Sequence, residues 1–188
     1  MSAPAPLTSS KAFLSLREYI ESQYQSGAFQ RVRDTLASRG LELDRVIKPN
    51  GWYPTATYAA ALDVARDLFG PADFAERYGY ASAEYELNFF LRFLLRFTSP
   101  TWILQRGADV WRRFHDSGTW EITGSAQRIR GVLQEFGVIH EGYCSLLVGW
   151  LRRACELTGA REVAVIHPEC RARGAKVCVF EGAWKVNR

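Results

Sequence analysis

Cys144, His167, Cys170 and Cys178 are the residues of this sequence best suited to chemistry. A tetrahedral zinc site takes four sulfur or imidazole donors, and a structural site closes all four positions with protein ligands. His167 stands three residues before Cys170, and Pro168 kinks the chain between them so that the imidazole can swing toward the sulfur. Gly174 lies midway between Cys170 and Cys178, which suits a tight reversal that returns both sulfurs to one end of a hairpin. Cys144 opens an apolar helical run and brings a third sulfur. The spacing is not that of a C-x-x-C knuckle. Two other readings therefore stay open: a Cys170–Cys178 disulfide, or thiols that fill the core as small apolar groups. A reducing compartment ranks zinc above the disulfide. Cys155, eleven residues after Cys144, is expected in the core, with a reserve role as ligand.

Other reactive groupings are weaker. His140 and Cys144 are one helical turn apart, but such a pair on a helix face is usually structural, and a metal-bound thiolate is not a free nucleophile. No phosphate-binding glycine loop, serine nucleophile elbow or H-E-x-x-H segment occurs. The expectation is a protein without catalysis. Arg92 and Arg96 share a helix face and can line a polar strip or meet an anion, although solvation is the commoner fate. The same holds for Arg171, Arg173 and Lys176 in the hairpin turn.

These groups need elements to hold them. The chain has 188 residues, is 47% hydrophobic and carries a net charge of +4, values that fit one folded domain over residues 10–188 and exclude a disordered chain. Arginines alternate with acids, so nucleic-acid binding is not demanded. Residues 1–9 lack the basic and apolar regions of a secretory signal and read as a short disordered leader. The apolar stretch from Leu87 to Leu104 is broken by Arg92, Arg96 and Ser99-Pro100, so it spans no bilayer, and a cytoplasmic location is expected.

Helical spacing of apolar residues predicts helices over about 10–25, 28–38, 54–69, 72–77, 82–97 and 102–114. Alternation then predicts strands at 118–124 and 127–133, a long helix over 139–158, and a closing hairpin of 161–167 with 176–180. The fold class that follows is α+β, with N-terminal helices packed on a twisted antiparallel sheet of about four strands and a long helix between the two hairpins.

The segment from His140-Glu-Gly-Tyr-Cys144 to His167-Pro-Glu-Cys170 and on to Cys178-Val-Phe-Glu, within residues 118–184, resembles the 4-vinyl-reductase-type sensor domain and its TRAPP-subunit-like superfamily. The resemblance implies a zinc-stabilised module for a small apolar ligand. It places zinc on Cys144, Cys170 and Cys178, with His167 where the relatives carry a glutamate. The ligand, fatty acyl or aromatic, is expected against Phe89, Phe90, Phe93, Phe97, Trp102 and Trp120. With no output segment in the chain, signalling passes through a homodimer or a downstream protein partner. The alternative is a homodimeric scaffold or tether with no exchangeable ligand.

Overall fold

In the computed structural model, which describes residues 4–86 and 99–185, the first ordered element is a strand. β1 (Leu7–Ser9) pairs antiparallel with β2 (Trp52–Pro54), with Leu7 opposite Pro54. Its other edge is tied to the turn at 114–116: the Ser9 N–H donates to the Phe114 carbonyl at 2.7 Å and the Leu7 N–H to Asp116 Oδ1 at 2.7 Å. Thr8 is wholly buried between them. The disordered-leader expectation is thus corrected for residues 7–9. Three residues are too few to show alternation, and distant pairing partners fix the strand.

Ser9 then caps α1 (Ser10–Gln23), accepting from the Lys11 N–H at 3.4 Å. Phe13, Leu16 and Ile20 of α1 pack with Phe29, Val32 and Leu36 of α2 (Ala28–Ser38) in one core. Pro54 leads into α3 (Thr55–Phe69), whose Ala59, Ala61 and Ala65 are buried. Next comes α4 (Phe74–Glu86), one helix where the sequence predicts a break before Ser82. Ser82 does not cap a new helix; its buried hydroxyl donates back to the Gly79 carbonyl at 2.9 Å, a bond open to any mid-helix serine. Arg92 and Arg96 lie outside the described residues. The helix expected over 102–114 is two short ones, α5 (Pro100–Gln105) and α6 (Gly107–Trp111).

The sheet comprises β3 (Thr119–Ser125), β4 (Arg128–Gln134), β5 (Arg161–Glu169) and β6 (Cys178–Lys185), antiparallel in the order β3-β4-β6-β5. The helix α7 (Glu141–Leu157) joins the two hairpins, so the α+β architecture is the one expected. β5 runs past His167 to Glu169, and its register against β6 slips between Ile166 and Glu169. Pro168, with no N–H to give the ladder, sits in that slip, and the irregularity re-aims His167. Among the described residues no helix is long and apolar enough to cross a membrane.

Candidate metal centre and adjoining cavity

His140 sets the start of α7. Its Nδ1 accepts from the Tyr143 N–H at 3.2 Å, so the proton is on Nε2, which donates to Asp63 at 2.9 Å. The capped first turn carries Cys144 toward the end of the β5–β6 hairpin. Gly174 closes the reversal there in the left-handed region, φ 92°, after a single 3-10 turn at Arg171–Arg173. Cys144 Sγ lies 3.7 Å from Cys178 Sγ and 3.8 Å from Cys170 Sγ. With His167 added, all four donor atoms fall within 4.8 Å of one another. All four cysteines are free thiols, so the disulfide alternative does not hold.

His167 has the posture of a ligand. Its Nδ1–H donates to the Val179 carbonyl at 2.7 Å and its ring stacks on Phe180 with centroids 4.3 Å apart. That bond fixes the tautomer and leaves Nε2 as a lone pair, which is buried without a hydrogen-bond partner. The sulfurs are electrostatically linked. A hydrogen bond from Cys144 holds Cys178 down at about 4 against the effect of burial, helped by His167 and the Arg171 N–H. Cys144 is pushed up by that same bond and by burial. Burial lowers the His167 imidazole, but Cys178, Cys170 and the Val179 carbonyl together outweigh it and raise it. Three sulfurs and one imidazole lone pair thus converge on one point, with thiol protons that a bound ion would displace.

The turn arginines are not simply solvated. The Arg171 guanidinium donates to the Phe136 carbonyl, while Arg173 reaches Glu141 on α7 at 3.3 Å and the His167 carbonyl at 2.6 Å. Both fasten the hairpin beside the cluster. Cys155 is not a reserve ligand: it packs with Ile129 and Trp184 in a separate small core, and burial pushes its thiol up to about 12. His140 and Cys144 form no nucleophile and base pair, because the imidazole is committed to Asp63 and the Tyr143 amide.

Farther along α7, a cavity of about 100 Å³ lies between that helix, the sheet and α6. Leu147, Trp150 and Leu151 face Trp120, Ile122 and Phe180 across it. Of the expected ligand-binding residues that are described, Trp120 lines this wall and Trp102 does not. Trp102 is exposed, with the Arg106 guanidinium 4.5 Å from its ring centre. Phe89, Phe90, Phe93 and Phe97 lie outside the described residues. Sequence reasoning missed Trp111, His115, Tyr143 and Trp150 as lining residues. The sequence marks His115 only as part of a helix stop, since no periodicity singles out a residue after the last turn.

His115 is buried, with Nδ1 3.1 Å from Thr8 Oγ1, which in turn meets Thr55 Oγ1 at 2.9 Å. Burial lowers its imidazole from 6.5 to about 3. Between those values the unfolded chain holds a proton that the folded chain does not. Stability therefore falls as pH drops through this window, by about 1.4 kcal/mol per unit. The His115→Gln variant is expected to lose that part of the slope in denaturant unfolding followed from pH 6.5 downward; parallel slopes for the two proteins would refute the assignment.

No protein-family model and no curated protein matches the chain. Solved structures do match. An H-NOX protein from S. oneidensis in the Fe(II)NO ligation state aligns with TM-score 0.68 and 16% identity, over 94% of this chain and 99% of that one. The Fe(II) unliganded H-NOX protein from K. algicida gives 0.66 and 12%, over 95% and 97%. A structure from a study of heme distortion in the H-NOX family gives 0.68 and 12%, over 95% and 96%. At such identities the likeness establishes the fold. It overturns the resemblance to the 4-vinyl-reductase-type and TRAPP-subunit-like domains, which rested on a donor pattern that can recur on unrelated folds. Zinc as the cofactor falls with that resemblance, since these neighbours are described by iron and heme.

Heme, in turn, does not fit the described residues of this chain. Its iron needs an axial side chain. In the described lining the Cys155 thiol is packed with Ile129 and Trp184 and held protonated by burial, the Tyr58 hydroxyl meets Tyr78 and the Tyr143 hydroxyl meets His115, which leaves the His115 imidazole as the candidate. That ring is hemmed in by Trp111 at 4.0 Å, Phe136 at 5.4 Å and Tyr143 at 5.6 Å between centroids. The cavity, about 100 Å³, is below the roughly 300–1,000 Å³ of ordinary ligand pockets. Glu181 is the one charged residue among its described lining, so no cation there meets a propionate.

Proposed function

We propose that this H-NOX-like domain is a non-catalytic ligand-binding module in which α7 connects a metal site to a small apolar pocket. The observation that carries the reading is the placement of both on one helix: Cys144 joins the donor cluster from the first turn of α7, and Leu147, Trp150 and Leu151 line the cavity from the following turns. Cys144, His167, Cys170 and Cys178 would together hold a metal ion, and four protein donors around one ion leave it the role of a pin between the helix and the hairpin. Pocket size limits the occupant. An apolar cavity of roughly 150 Å³ can stay dry and admit benzene, and the space here is about 100 Å³. A single small ring, accommodated by modest side-chain movement, suits it better than a fatty acyl chain. The scaffold reading leaves this cavity without a use.

Titration with toluene and with indole, followed by thermal shift and tryptophan fluorescence, tests the proposal. Trp111, Trp120 and Trp150 line the space and should report entry. Saturable shifts are expected in the parent and should disappear in Leu151→Trp, which fills the cavity while far-UV circular dichroism remains native. No saturable response in the parent, or an equal response in the filled variant, would count against the pocket.

A further inference from the structure

Remote from the cysteine cluster, Arg17 of α1, Arg33 of α2 and Arg45 of the following loop converge on a pocket of about 260 Å³. Glu21 is the one carboxylate in its lining, so the guanidinium groups exceed the acids by two. No ion pair among the described residues engages any of the three arginines. Nearby acids are otherwise engaged: Asp34 accepts from Gln30 at 2.6 Å and Asp44 from the Tyr53 hydroxyl at 3.2 Å.

One member of the trio is preset. The Arg33 guanidinium donates to the Arg45 carbonyl and to the Gln30 side-chain oxygen, which holds its plane, while its Nε–H is buried with no acceptor. An orphaned donor of this kind carries a desolvation cost, and it belongs to a side chain that lines the pocket. Arg17 and Arg45 are exposed and free to close on whatever Arg33 meets. Gly27 also borders the pocket and starts α2 without a side-chain cap, so the positive end of that helix adds to the field.

We propose that this pocket is a binding site for a phosphomonoester. The excess of two positive charges matches a dianion, and guanidinium pairs phosphate oxygens two at a time. The site is smaller than a drug-sized pocket and suits the phosphoryl group itself rather than a whole nucleotide. The group can belong to a free phosphorylated small molecule or to a phosphorylated side chain of another protein, and the chemistry of recognition is the same.

Calorimetric titration at low ionic strength with inorganic phosphate, phenyl phosphate and a phosphoserine peptide distinguishes these sources. All three are expected to compete for one site. A peptide that binds more tightly than phenyl phosphate identifies a protein source, and equal binding identifies a small molecule. The double variant Arg17→Gln, Arg45→Gln should weaken each by at least about tenfold, with unliganded melting temperature and metal content unchanged. The loss should shrink as salt is added. Absence of saturable phosphate binding at millimolar concentration, or affinity unaltered in the double variant, would overturn the proposal.

Discussion

Adding Co(II) to metal-free protein is expected to produce intense thiolate-to-metal absorption at one ion per chain and to raise the melting temperature by about 8–16 °C. An ion present at a thousand times its dissociation constant adds about 4 kcal/mol to the folded state, and each kcal/mol moves the midpoint of a chain this size by about 2–4 °C. The effect depends on donors that are already gathered, since Cys144, Cys170, Cys178 and His167 need no large movement to reach one centre. Binding must displace the protons that bridge the sulfurs, so affinity should climb with pH. Cys170→Ser should abolish both the absorption and the thermal gain, whereas Cys155→Ser should retain the absorption because that thiol sits in a separate core. Cobalt spectra indifferent to Cys170→Ser would remove the metal from the proposed function.

That these four side chains meet is legible in the sequence because each sits beside a local signal: Gly174 for the reversal, Pro168 for a kink, and the apolar run after Cys144 for a helix. The sheet is legible for a similar reason, since alternation along β3, β4 and β6 reports one buried face. What the sequence hides depends on long-range packing. β1 exists because Thr8 is held between β2 and His115, partners far apart in the chain. The cavity wall draws Tyr58, Trp111, Tyr143 and Phe180 from four separate elements, and no spacing rule unites them. Family assignment goes astray on the opposite side: three cysteines and a histidine on a hairpin and a helix are a local chemical solution, while the helical half that distinguishes one fold from another offers only amphipathic periodicity.

A second large effect is expected at the crossing of α4 and α7, where Gly149→Ala should cost on the order of 2 kcal/mol net. A Cβ built at Gly149 would lie 2.0 Å from the Glu76 carbonyl oxygen and 2.8 Å from the Tyr80 amide nitrogen. Gly79 faces the reciprocal limit, 1.9 Å from the Leu146 carbonyl oxygen. Both obstacles are backbone, so no rotamer change relieves them and the helices must separate. Overpacking of this kind typically costs about 1–3 kcal/mol or more, set against a gain of about 1 kcal/mol from alanine's helix propensity. Separation would also strain the far end of the crossing, where the Arg153 guanidinium bonds Glu84, Glu156 and the Tyr80 hydroxyl. Gly107→Ala is the control: its nearest neighbour, Ile122, is an ordinary 3.5 Å away, and that variant should match or exceed the parent in stability. Because α7 carries both Cys144 and the cavity wall, Gly149→Ala should weaken cobalt and toluene binding together. Urea denaturation and the two titrations on the same preparations provide the measurement; a variant as stable as the parent would show that α4 and α7 do not meet backbone to backbone, and loss of only one ligand would break the proposed link along the helix.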